Sequence, residues 1–191
     1  MKILFVTPYL PSPPRFGGQR RVDGLMRGLV RDHEVSILSF NAVDDGEPSL
    51  AATRAYCKKV STLPGLESGN LADKRKLQLR SLASLHSYEY LQVRQRADFQ
   101  RLLDRELENE QYDVVQVEFA NMAAFDYARR KKQTLLVLDE HNIEFDLQRR
   151  TAGSSDGLSR RVYSSLNWRK LGREEKQAWR TFHGVVLTSV R

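Results

Sequence analysis

The sequence predicts a single α/β domain, an open and mostly parallel sheet with helices on both faces. Three observations predict it: short apolar runs of strand length alternate with helical stripes, the first run is apolar on both faces, and the opening forty residues complete a strand–helix–strand unit. The doubly wound strand order 3-2-1-4-5-6 is the expected one.

Lys2-Ile3-Leu4-Phe5-Val6-Thr7 is a continuous apolar run that ends in a turn signal at Pro8, as a strand covered on both faces would. A loop rich in Pro and Gly follows, from Pro8 to Gly18. Val22, Leu25, Met26, Leu29 and Val30 then mark one apolar stripe of a helix whose outer face carries Arg20, Arg21, Arg27 and Arg31. His33 to Phe40 reads as a second strand, and the crossover between the two strands should be right-handed. Asp44 to Pro48 is polar and turn-like, and a third strand is expected around Lys59 to Leu63. Residues 70 to 110 read as broken helix, with a clear stripe at Phe99, Leu102, Leu103 and Leu107.

Tyr112 to Phe119 is short and β-branched, hence a fourth strand. Ala120, Ala123, Ala124, Tyr127 and Ala128 return to helical spacing. Thr134 to Leu138 is a fifth strand that runs into the polar segment Asp139-Glu140-His141-Asn142. Asp156 or Ser159 is placed to cap a long charged helix reaching about Phe182, with Gly172 as an interior weak point. Gly184 to Ser189 closes the sheet. No internal repeat or low-complexity tract interrupts this pattern.

At 191 residues and 40% hydrophobic content, the chain can bury one core and has little left for a second. The single cysteine, Cys57, excludes an internal disulfide and a thiolate zinc site and points to a reducing compartment. The apolar start meets Pro8 before a secretory segment would be complete. No window approaches the roughly 20 apolar residues that cross a bilayer, although such a domain would still be able to sit on one. A formal charge of +7 and a pI near 9.7 favour an anionic partner: a nucleotide phosphate, an acidic lipid surface or nucleic acid. The 24 acidic residues interspersed among 31 basic ones equally describe a solvated, mixed surface.

Open α/β sheets bind ligands beyond the carboxyl ends of their strands, near the reversal of strand order. That rule nominates the loops Pro8 to Gln19, Glu118 to Asn121 and Asp139 to Glu144. Gly17-Gly18 stands directly before a helix, where free N–H groups and the positive helix end would face an anion; the alternative is a glycine pair that supplies a positive φ. Asp139, Glu140, His141, Asn142 and Glu144 crowd the end of a buried strand, a costly place for ionisable groups without partners. His141 would donate a hydrogen bond or shuttle a proton there, or would cap a helix or lie satisfied at the surface. No second histidine or cysteine at ligand spacing supports a metal. Neither Gly-x-Gly-x-x-Gly nor the P-loop pattern is present, which counts against dinucleotide and nucleoside triphosphate sites. Lys74 to Arg80, with Tyr88 and Tyr90 beyond it, mixes basic and apolar-aromatic residues as a membrane-contacting segment does, and as an ordinary amphipathic surface helix does.

The opening Lys2-Ile3-Leu4-Phe5-Val6-Thr7-Pro8-Tyr9, with Pro13-Pro14-Arg15-Phe16-Gly17-Gly18-Gln19-Arg20-Arg21, resembles that of GT-B-type nucleotide-sugar glycosyltransferases, specifically the retaining class of glycogen synthase and sucrose synthase. Tyr112 to Glu118 is similar to that class's fourth strand, and Asp139-Glu140-His141-Asn142-Ile143-Glu144 to its histidine-bearing loop. Arg173-Glu174-Glu175 through Trp179, then Gly184 to Ser189, resembles the helix and strand that follow. The likeness spans Met1 to Ser189.

The resemblance implies the Rossmann-like N-terminal half of a GT-B fold, the acceptor side of a cleft whose donor-binding C-terminal domain lies outside this chain. It implies transfer of a hexose from a nucleotide-sugar to a polysaccharide or glycolipid acceptor with retention, no activity for this half alone, and no cofactor or metal beyond the nucleotide-sugar co-substrate. Carried over by position, His141 is the catalytic residue, beside the transferred sugar. Gly17 and Gly18 lie against donor diphosphate or acceptor, Gln19, Glu118, Asn142 and Glu144 are substrate-binding candidates, and Arg15 and Arg20 are placed for phosphate or for solvent. The expected setting is cytoplasmic, peripheral to the inner membrane face if membrane contact is made, without nucleic acid. The alternative is a non-catalytic basic Rossmann-like module binding anionic lipid or nucleic acid.

Overall fold

The structure, a computed structural model, describes residues 1–41, 46–65, 71–152 and 157–187. Six strands make one sheet: β1 (Lys2–Thr7), β2 (Glu34–Asn41), β3 (Lys59–Pro64), β4 (Val114–Glu118), β5 (Leu135–Glu140) and β6 (Gly184–Leu187). Their order is β3-β2-β1-β4-β5-β6, and every neighbouring pair is parallel. The order reverses between β1 and β4, so the carboxyl ends of β1, β4 and β5 share one rim. The expected Rossmann-like α/β architecture is the one observed.

Seven α-helices connect these strands among the described residues: α1 (Gly17–Leu29), α2 (Gly46–Arg54), α3 (Leu71–Ala83), α4 (Tyr88–Arg94), α5 (Ala97–Asn109), α6 (Glu144–Ala152) and α7 (Leu158–Thr181). Because side chains alternate across a strand, the sheet feeds two cores. Ile3, Phe5, Val35 and Ile37 pack under Val22 and Met26 of α1. Leu4, Val6, Val117 and Leu138 face the larger core, which Phe99, Leu103 and Leu171 complete from α5 and α7. Phe99 stacks on Phe125, with ring centroids 4.5 Å apart, and lies 4.3 Å from Phe40.

Several local expectations need correction. The alanine-spaced segment after β4 is no α-helix but a short 3-10 turn at Ala120–Ala124. β5 runs two residues past Leu138, so Asp139 and Glu140 belong to the strand and are buried. Glu144 opens α6 instead of closing a loop. The polar stretch around Asp44 is followed by α2 from Gly46, and residues 42–45 lie outside the described residues. Asp156 also lies outside them, Ser159 sits inside α7, and Gly157, at φ 93°, precedes that helix. The last strand is described to Leu187, with Thr188 and Ser189 outside the described residues.

Gly172 is a packing position, not a weak point. A Cβ there would stand 3.0 Å from Cγ of Phe145, so the missing side chain is what lets α6 lie on α7.

Candidate functional site

The Pro-rich loop after β1 is tied down from within. Gln19, buried in the first turn of α1, accepts a hydrogen bond from the Arg15 N–H (2.7 Å) and donates one to the Leu10 carbonyl (2.9 Å). Ser12 bonds Asp23 of α1, and Asp23 also takes hydrogen bonds from Tyr56 Oη (3.0 Å) and Arg27 Nε (2.8 Å). The Gln19 amide is thereby spent on holding the loop, and the loop presents α1 as a fixed element.

Gly17 and Gly18 are the first two residues of α1, and neither has a positive φ, so conformational freedom is not why they are there. The residue ahead of them, Phe16, offers no side-chain cap, which leaves first-turn N–H groups without an intrahelical acceptor. The space over Gly17 is open to at least 4 Å. At Gly18 a Cβ would stand 2.6 Å from Tyr9 Oη, 3.1 Å from Phe119 and 3.2 Å from Phe16. Close approach is therefore used at Gly18, toward three aromatic rings, while Gly17 opens onto solvent.

Those rings lead to the histidine. Tyr9 meets Phe16 and Phe119 edge to face, at centroid distances of 4.9 and 5.3 Å. Phe119 stacks on His141 at 4.0 Å and 23°. Its backbone takes φ 71°, a costly conformation for a non-glycine residue, and its N–H donates to the Asp139 carbonyl (2.9 Å). Such strain persists only where surroundings impose it, and here it turns the Phe119 ring back over the rim.

His141 has a side chain only 7% exposed, and its Nε2–H donates to Glu118 Oε2 at 2.8 Å. Gln116 Nε2 donates to the other oxygen of Glu118 at 2.8 Å. Burial pushes the Glu118 carboxyl upward, the His141 and Gln116 hydrogen bonds hold it down, and the neighbouring Asp139 charge adds to the rise. Asp139, 1% exposed, is gripped by Arg21, whose Nε and Nη2 lie 2.9–3.2 Å from its carboxylate oxygens. Arg21, read from sequence as an outer-face residue, instead reaches the rim.

Gly18 and His141 both pack against Phe119, so the start of α1 and the histidine-bearing segment lie side by side, with the buried Glu118 behind His141. Other candidates contribute differently. Arg15, Arg20 and Asn142 are exposed. Burial raises the Glu144 carboxyl, the neighbouring Asn142 amide opposes the rise and the Glu89 charge adds to it. Sequence reasoning missed Tyr9, Phe119 and the reach of Arg21; only the aromatic residue directly after Glu118 could have signalled one of them.

Ligand atoms of Glu118, Asp139 and His141 lie within 4.8 Å of one another, a set that sequence spacing hides. Asp139 is already neutralised by Arg21 and both Glu118 oxygens are engaged, so these residues do not fit a resident cation. Glu118, itself held by Gln116, fixes the imidazole instead, and Asp139 beside it holds Arg21.

No known protein family, no curated protein and no solved structure matches the chain.

Proposed function

We propose that this domain forms the acceptor side of a hexosyltransferase that moves a sugar from a nucleotide-sugar to a polysaccharide or glycolipid acceptor with retention, facing a donor-binding domain across its rim. The observation that carries the reading is the Phe119–His141–Glu118 assembly beside the uncapped start of α1. A ring face, an oriented imidazole and free backbone donors are what a pyranose attached to a diphosphate asks for: apolar contact for its C–H face, a hydrogen bond for a hydroxyl, and positive potential for phosphate.

In this reading Glu118 fixes the His141 ring plane and tautomer as a carboxylate does for any catalytic imidazole, and Phe119 closes one face of the ring. His141 hydrogen-bonds the sugar undergoing transfer. The N–H groups of Gly17 and Gly18, with the helix dipole behind them, offset negative charge that grows on the departing nucleoside diphosphate. The chain's residues supply orientation and electrostatics and no covalent step.

Calorimetric titration with oligosaccharide acceptors and with nucleoside diphosphate hexoses tests this. Saturable binding by the native chain is expected, weakened at least tenfold in His141→Ala, about the value of one charge-assisted hydrogen bond. No binding by any member of the panel, or equal binding by His141→Ala, removes the proposal.

A further inference from the structure

Outside the site built on Phe119 and His141, α7 and α3 present a surface that the core does not use. On α7, Leu158, Val162 and Leu166 recur at intervals of four residues and stand 80%, 52% and 42% exposed. The same helical face continues through Arg169, Arg173, Lys176 and Arg180, all exposed, in steps of three or four. No carboxylate lies on it, because Glu174 and Glu175 turn inward. On α3, Leu71, Leu79 and Leu82 share the outer stripe with Arg75 and are 74%, 67% and 45% exposed, and Leu85 just beyond is 74% exposed. These seven residues are the larger part of the exposed large hydrophobics among the described residues.

The two stripes adjoin. Lys170 Nζ donates to the Ser81 carbonyl (2.5 Å) and the Ser84 carbonyl (2.7 Å), and Arg173 donates to the Leu85 carbonyl. Tyr163 Oη lies 3.2 Å from Ser81 Oγ. The end of α3 is therefore pinned against the edge of α7, with the leucines outside. Tyr88 and Tyr90, which the sequence alone would add to such a surface, do not belong to it: Tyr90 is buried and Tyr88 half-buried.

We infer that this α3–α7 face docks on an anionic lipid surface, leucines entering the interface and the surrounding arginines and lysines pairing with headgroup phosphates. Charge selects the occupant. A second copy of the chain would bring cations against cations, and a neutral apolar partner would strand them, whereas an acidic leaflet satisfies leucines and cations together. No helix among the described residues is long and apolar enough to cross a membrane, so the contact is peripheral. The inference does not rest on the sugar-transfer reading.

Co-sedimentation of the full chain with vesicles tests it, comparing pure phosphatidylcholine with the same lipid carrying about a third phosphatidylglycerol. Binding roughly 100-fold tighter to the anionic vesicles is expected, since several cations near the surface act together. Leu79→Ser/Leu158→Ser and, separately, Arg75→Glu/Arg169→Glu should each weaken it roughly tenfold or more with thermal unfolding unchanged. His141→Ala should bind vesicles as the native chain does, which separates this test from that of the rim. Equal or absent binding to both lipids overturns the inference. So does indifference to the leucine pair together with equally tight binding of a DNA oligonucleotide, which would mark diffuse charge.

Discussion

Gly17 and Gly18 are neighbours in sequence with different reasons for lacking a side chain. A Cβ at Gly18 has to displace the Tyr9 hydroxyl from 2.6 Å and press on Phe119. Gly18→Ala should therefore cost about 1–3 kcal/mol, the usual penalty of overpacking, and loosen the Phe119–His141 stack. Gly17→Ala meets nothing within 4 Å and should leave unfolding nearly unchanged. Denaturant melts of the two variants separate the roles, and equal losses would show that Gly18 is not a packing residue. The glycine pair and His141 are visible in the sequence as unusual residues at strand ends. What joins them is not, because Phe119 lies about a hundred positions from Gly18 and its positive φ leaves no trace in residue type.

Elements that the sequence reveals best are those with one dominant force. β1 and β2 are apolar runs and α1 and α5 carry a single stripe, so burial alone decides them. The 3-10 turn after β4 reads as a helix in sequence because its alanines suit one, whereas Met122 and Phe125 are drawn into the core before a second turn can form. β5 ends in Asp139 and Glu140, which polarity alone would assign to a loop; Arg21 makes the first tolerable inside the strand. Glu140 has no such partner. It points into the opposite core, toward Glu175 of α7, and several oxygens of the pair lack hydrogen-bond partners. Burial raises Glu140 to about 7, with the Trp179 N–H beside it opposing the rise without making a hydrogen bond. Burial and the Glu140 charge raise Glu175 to about 8.

A carboxyl that titrates higher when folded binds its proton more tightly in the native state. Its contribution is complete below the ordinary carboxyl value of 4.5 and is lost as pH rises through 7 to 8. The melting temperature should thus fall between pH 5 and pH 8 on account of this pair. Glu175→Gln should flatten that slope and raise Tm at pH 8 by roughly 2–4 °C, the shift that about 1 kcal/mol produces in a chain of this size. Calorimetry at both pH values checks it, and an unchanged slope in the variant would mean the pair stays ionised and separately satisfied.

For the whole molecule, strand order follows from the sequence because a parallel sheet with short connections leaves few alternatives, and order in turn places β1, β4 and β5 along one rim. The net charge of +7 suggested an anionic partner without saying where. We propose two addresses for one: backbone donors at the start of α1 beside His141, and the leucine-bordered cations of α3 and α7. The second becomes visible only on folding, since it joins α3 and α7, which are distant in sequence.

The central claim is that the start of α1, Phe119 and His141 make one sugar-diphosphate surface. Amide chemical-shift mapping of the isotope-labelled chain, titrated with a nucleoside diphosphate hexose, tests it most directly. The account predicts saturable shifts at Gly17, Gly18, Phe119 and His141 that share one dissociation constant. Shifts confined to other surfaces, or glycine and histidine signals that titrate independently, would contradict it.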